Sequence, residues 1–287
     1  MPRLSRRSAR GFTLVELSVA LVLGVVVLGA AGQVFLASQR FFRLQSSALE
    51  VHEGLRAAVQ VLSAELRELD PSGGDIVAMG PDSISIHATR GLEFVCAPPD
   101  PATGRIIVRR DLSSSYRAVD PARDRALVFR DADGATADDD AWLDLGIAAA
   151  GAAAKCADGA AATELRLLGA VGALDSVGIG APVRWYERAV YRLYADETGA
   201  SWLGQRSWSG GSWAAISPVA GPLRHPLGIQ LTYFDTSGAT TAAPSRVVRI
   251  ALVVRGVGSA LLQETRGKQA HWTDSLATTV FPRNRRR

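Results

Sequence analysis

Cysteine is scarce in this chain of 287 residues: there are two, Cys96 and Cys156. No CxxC pair and no Cys/His cluster occurs, which excludes the common zinc sites. The histidines His52, His87, His225 and His271 are scattered, and neither a Ser/His/Asp arrangement nor a nucleophile elbow can be drawn. Gly178-Ile179-Gly180 carries part of a dinucleotide fingerprint without the third glycine or a βαβ setting, so it reads as a turn. The chain is therefore not expected to be an enzyme. Two further absences shape the N-terminal quarter. No proline stands between Pro2 and Pro71, which leaves room for one unbroken helix. And from Leu17 to Gln39 there are 23 residues without one formal charge, which excludes an ordinary surface helix there.

What fills those gaps is apolar. At 1.5 Å per residue the uncharged run spans roughly 34 Å, enough to cross a bilayer core with some tilt. Ahead of it lie Arg3, Arg6, Arg7 and Arg10 and no acid, so the positive-inside rule keeps the leader in the cytoplasm and sends the bulk of the chain across. Glu16 does not suit a plain anchor. A carboxylate at the membrane edge of a helix is costly and calls for a partner or a function. The nearest base is Arg10, beyond Gly11. A cut between Gly11 and Phe12 would create an α-amine one helical turn from Glu16, able to meet the Glu16 of a neighbouring copy or related subunit. A signal peptide or signal anchor is the bland alternative, but it requires no glutamate there.

The run Arg10-Gly11-Phe12-Thr13-Leu14-Val15-Glu16-Leu17 resembles the cleavage and methylation signature of type IV prepilins and type II secretion pseudopilins. The resemblance covers about the first 70 residues. It implies that a prepilin peptidase cuts after Gly11 and N-methylates Phe12, and that Glu16 pairs with the amine of an adjacent subunit during filament assembly. Such a cut takes four arginines from a formal charge of +4 and leaves a balance of zero, so no specific nucleic-acid partner is implied.

After the apolar run, Phe41, Leu44, Ala48, Val51, Leu55, Ala58, Leu62, Leu66 and Leu69 step by threes and fours, one face of a helix. Arg40, Arg43, Glu50, Glu53, Arg56, Glu65 and Arg67 fall mostly on the other sides. The spacing predicts one helix from about Phe12 to Leu69, ended by Asp70-Pro71-Ser72-Gly73-Gly74. Beyond it the chain reads as short strands: Ile84–His87, Leu92–Val95, Arg105–Arg110, Ala126–Arg130, Glu187–Tyr194, Ile229–Phe234, Arg246–Arg255 and Leu276–Phe281. Val247–Arg255 is the most strand-like and is expected to be central. Ile147–Ala162, rich in Ala and Gly, is expected to be a surface loop held by Cys156. Trp202–Trp213 reads as a hairpin displaying three tryptophans, either packed in the core or offered to another subunit.

The expected fold class is α+β: a leader at 1–11, a membrane and filament-core helix at 12–39, an amphipathic continuation at 40–70, and an antiparallel, meander-like, β-rich head at 71–287. The layout is that of a stalk with a globular head. A Cys96–Cys156 disulfide would close a loop of about 60 residues outside the cytoplasm, with two separate thiols as the alternative. Asp131, Asp133, Asp138 and Asp140 form a weak calcium candidate, set against a solvated acidic loop. No other cofactor is expected. The C-terminal Arg283, Arg285, Arg286 and Arg287 read as a solvated end or as a contact to a neighbouring subunit or anionic headgroups.

Size and plan resemble PilW-type minor pilins or the J component of type II secretion, and Asp274–Asn284 resembles the last strand of PilW-type proteins. The resemblance implies an inner-membrane, single-pass subunit with a periplasmic head. Its partners would be the prepilin peptidase, the lipid bilayer before assembly, the inner-membrane assembly platform, and other minor and major pilin or pseudopilin subunits, with which it primes a filament tip. A type II secretion pseudopilin is the alternative within that class. A signal-anchored periplasmic enzyme or binding protein is the alternative outside it.

Overall fold

The computed structural model describes residues 13–131, 136, 140–263 and 269–283. In chain order the elements are helix α1 (Leu14–Arg67), β1 (Ile76–Met79), β2 (Ser83–Asp100), β3 (Arg105–Arg109), β4 (Ser114–Ser115), β5 (Asp124–Arg130), β6 (Ala141–Lys155), β7 (Ala161–Leu168), β8 (Pro182–Ala195), β9 (Ser201–Ser209), β10 (Ser212–Trp213), β11 (Ser217–Leu223), β12 (Ile229–Phe234), β13 (Arg249–Gln263) and β14 (Gln269–Val280). The class is α+β, a long helix followed by an antiparallel β-rich head. The chain divides into two compact units: the residues up to Leu49 with Gly258–Trp272, and Glu50–Val257 with the residues from Thr273 onward.

The first unit is built on the uncharged stretch of α1. Its large apolar side chains are bare, with Val26 62% and Leu28 73% exposed. Lower down, Ser47 is buried, and a Cβ at Gly258 would overlap its hydroxyl, so only glycine lets the β13 backbone lie there. His271 Nδ1 is 3.0 Å from the Gly258 carbonyl.

In the second unit the remainder of α1 has the opposite character. Val51, Leu55, Ala58, Leu62, Leu66 and Leu69 are all buried, and their spacing of threes and fours is one helical stripe. The stripe lies on the sheet at close range. A Cβ at Gly54 would overlap the Gly221 carbonyl of β11, and one at Gly256 would overlap Val51. The helix stops where Asp70 turns back on the chain: Ser72 Oγ and Gly73 N–H donate to Asp70 Oδ1, and Pro71 offers no donor to continue the ladder.

Each pairing whose register is described is antiparallel, but together they depart from a simple meander. β2 pairs along residues 83–94 with β8 and along 95–100 with β3; β3 pairs β7, β7 pairs β6, β6 pairs β5, and β5 returns to β8. These pairings form a closed six-stranded circuit, a small barrel. Its interior is the period-2 face of each strand: Val95, Ile106 and Val108, Ala126 and Val128, Leu145 and Ile147, Leu165 and Leu167, Val183 and Trp185. Trp185 fits because Gly91 faces it; any side chain there would overlap the indole. β8 is the hub, with β2 on one side and β5 followed by β9 on the other.

Three expectations are corrected here. Val247–Arg255 is not central: β13 begins at Arg249, after a 3-10 turn at Pro244–Arg246, and stands second from the end of the strand order. Its buried residues Ile250, Leu252 and Val254 explain its apolar pattern, which reports burial rather than place in a sheet. Ile147–Ala162 is not a loop but the end of β6, a turn at Cys156–Ala160 and the start of β7, in register from Gly146↔Leu168 to Lys155↔Ala161. Pairing to β7 overrides the helical preference of alanine, and Gly151, at φ +97°, sits in a bulge of that ladder. Arg246 belongs to the 3-10 turn rather than to the strand.

Candidate functional site

The end of α1 that bears the glutamate is built locally. Thr13 is the residue before the first helical turn, and Glu16 is the third residue of that turn. The backbone N–H and the hydroxyl of Thr13 both donate to Glu16 Oε2 at 3.0 Å, while Glu16 N–H donates to Thr13 Oγ1 at 3.2 Å. This is a reciprocal capping box: two orphan donors of the helix end are satisfied, and a carboxylate faces the positive end of the helix dipole. The carboxylate that the sequence leaves without a basic partner thus has a polar one within its own chain, four residues from Phe12. The signal was present as Thr13-x-x-Glu16. Gly11 and Phe12 themselves lie outside the described residues. Behind the cap, α1 is long and apolar enough to cross a membrane.

The second unit holds a charged cluster that sequence reasoning missed. Arg90 Nη1 donates to Glu65 Oε2 of α1 at 3.0 Å, and its Nη2 lies 2.8 Å from Glu187 Oε1 of β8. Tyr191 donates its hydroxyl to Glu65 Oε1 at 3.0 Å. Arg117 grips Asp124 through both terminal nitrogens, at 2.7 and 2.6 Å, and donates to Glu187 Oε2 at 3.0 Å. Burial pulls the Arg90 guanidinium down, yet Glu65 and Glu187 outweigh it, and its pKa ends above the ordinary value. Glu65 lies among Leu62, Leu66 and Leu69, not on the wet side of the helix, and ties α1 to the hub strand. The available signal was Glu187, two residues beyond the inward-facing Trp185.

Cys96 and Cys156 are joined by a disulfide, Cα to Cα 5.0 Å, between the end of β2 and the β6–β7 turn. Of the four aspartates offered for calcium, Asp133 and Asp138 lie outside the described residues; Asp131 and Asp140 flank them on either side. Among the described residues no group of three His, Cys, Asp or Glu is gathered as for a metal ion. The histidines have unrelated surroundings: His52 faces Asp274 at 3.2 Å, His87 stacks on Tyr186 at 4.3 Å, and His271 meets Gly258. Trp208 and Trp213 meet edge to face on the β9–β10 hairpin, with Arg188 and Arg206 over their rings; Trp202 donates its indole N–H to Asp196. All three tryptophans are half-buried, neither core nor bare. Arg283 N–H donates to the Arg67 carbonyl, and Arg285, Arg286 and Arg287 lie outside the described residues.

Residues 6–32 match the prokaryotic N-terminal methylation motif, the segment that carries Gly11, Phe12 and Glu16. No curated protein and no solved structure matches the chain. The N-terminus thus carries a type IV prepilin-like methylation motif, followed by an apolar helix long enough to cross a membrane.

Proposed function

We propose that this protein is a minor, structural subunit of a type IV pilus, cut after Gly11, methylated on Phe12 and incorporated through α1, and that it primes assembly at the filament tip. The observation that supports this is the conjunction at one helix end of the methylation motif, the capped Glu16, and an uncovered apolar run. Bare apolar surface on that scale needs lipid or other helices around it. Lipid serves before assembly and the packed helices of neighbouring subunits afterwards. Glu16 sets register: in an apolar bundle a carboxylate without a partner is costly, so a copy docks where an amine meets it.

Intact mass and N-terminal sequencing of the protein from membranes, with and without prepilin peptidase, test the reading. A mature chain beginning at N-methylated Phe12 is expected, and an uncut chain would refute it. Glu16→Ala is expected to insert and be processed normally yet be missing from filaments. Loss of surface pili on deletion, with protein export intact, would separate the pilus from the secretion pseudopilus.

A further inference from the structure

Glu93 is an inward position of the barrel that is not apolar. After the bulge in β2, Gly91, Glu93 and Val95 alternate on the interior face, between the Trp185 contact and the core. Glu93 is 9% exposed. Its Oε1 accepts from Ser113 Oγ at 3.1 Å, and its Oε2 is buried with no hydrogen-bond partner. A buried carboxylate oxygen left unpaired is costly, and most such atoms have a partner. Glu93 opens onto a cavity of about 250 Å³ whose walls include Val119, Ala150, Leu165 and Trp185. That is smaller than the usual drug-sized site, which starts at about 300 Å³.

The remaining charge around the cavity decides what it accepts. Arg117 lines it too, but its terminal nitrogens are consumed by Asp124, Glu187 and the Ala118 carbonyl. The network behind it holds three carboxylates, Glu65, Glu187 and Asp124, against two guanidiniums, Arg90 and Arg117, so it is one negative charge in excess before Glu93 is added. A ligand that offers a donor and a positive charge to Glu93, with a short apolar body against the walls, satisfies the unpaired carboxylate oxygen and the apolar lining; the indole N–H of Trp185, which is also buried without an acceptor, is left to water or to an acceptor elsewhere on the ligand. An anion meets the unpaired Oε2 and is repelled. The geometry points to a binding site at the barrel mouth for a primary ammonium group on a short apolar stem, with Glu93 as its acceptor. Two sources carry that chemistry: a small free amine and a lysine side chain of another protein. Burial pushes the Glu93 carboxyl above its ordinary range, and a bound ammonium would draw it back down.

The test uses the full chain in uncharged sugar-detergent micelles and ligand-observed NMR with n-butylammonium, n-butanol and butyrate. Saturable binding of n-butylammonium is expected, at least about tenfold tighter than butanol or butyrate and weakened about tenfold or more in Glu93→Gln. Ala118→Leu, on the exposed rim of the cavity, narrows the mouth while leaving Glu93 in place and should weaken binding as well; it carries the test if Glu93→Gln fails to fold by circular dichroism. Absence of saturable binding to the unaltered protein, equal binding of butyrate, or binding undiminished in both variants would overturn the proposal. Nα-acetyl-lysine methylamide separates the sources: binding as tight as n-butylammonium assigns a protein lysine, and binding of the small amine alone assigns a free one.

Discussion

The two parts of α1 use the same side chains for opposite ends. Up to Leu49 the leucines and valines are mostly bare; from Val51 onward the leucines are buried, Leu55 to 2% and Leu62 to 1% exposure, and the valines are buried or half-buried. The apolar residue types do not separate them, but charge content and pattern do. The first stretch is apolar all round, with no polar face to turn toward water. The second confines its apolar residues to one stripe and reserves the rest for charge. Each fully buried leucine is worth roughly 1.5–3 kcal/mol relative to exposure. A helix bare over its whole N-terminal part forfeits that many times over in water and is stable only in another apolar medium. The contrast extends to the two glutamates: Glu65 is held by a guanidinium and a phenol inside the head, whereas Glu16 is held by a threonine at an exposed helix end.

The sharpest way to break this contrast is at Glu65. Glu65→Ala leaves Arg90 with Glu187 as its one carboxylate partner and strands the Tyr191 hydroxyl, and removing one partner of a buried pair costs about 3–5 kcal/mol. Urea unfolding of the full chain in micelles, followed by tryptophan fluorescence, reads it; a loss within error would show that solvent reaches the network. The same substitution made in the two parts of the helix comes next. Leu55→Ala is expected to lower head stability by about 2–5 kcal/mol, because the cavity it leaves lies between helix and sheet. Leu23→Ala, at a 60% exposed position, is expected to leave the same unfolding curve unmoved. Equal effects would mean that the two stretches do not differ as their burial says.

Much of this was legible in the sequence, and what was not has physical causes. The long helix could be read because nothing interrupts it before Asp70-Pro71, and Ile229–Phe234 could be read because its alternation is clean; both match their elements to within a few residues. The barrel could not. Period-2 alternation says that Val183 and Trp185 face inward, but not that β5 returns to β8 and closes the circuit, which depends on partners far apart in sequence. The Ala-rich β6 was hidden because local propensity argues against a strand that only β7 makes worthwhile. Glu65 was hidden because a buried charge has the same spacing as a surface one until its partner, 25 residues away, is placed beside it.

The cap at Glu16 was legible as Thr13-x-x-Glu16, and it sharpens the last contrast. The carboxylate that would meet a neighbour's amine is already engaged by Thr13 through Oε2, so the cap and the incoming amine share one carboxylate. Thr13→Val keeps the branched shape and removes the hydroxyl. Amide exchange in uncharged micelles should quicken at Glu16, whose N–H loses its acceptor, and stay unchanged beyond the first turn, where the backbone ladder is complete. Processing and incorporation into filaments should persist, since the carboxylate remains and has one fewer rival for it. If Thr13→Val instead abolishes incorporation as Glu16→Ala is expected to, then the role of Glu16 in assembly is to hold the first turn in helical form rather than to reach across to a neighbour, and the two glutamates of α1 would differ less than their surroundings suggest.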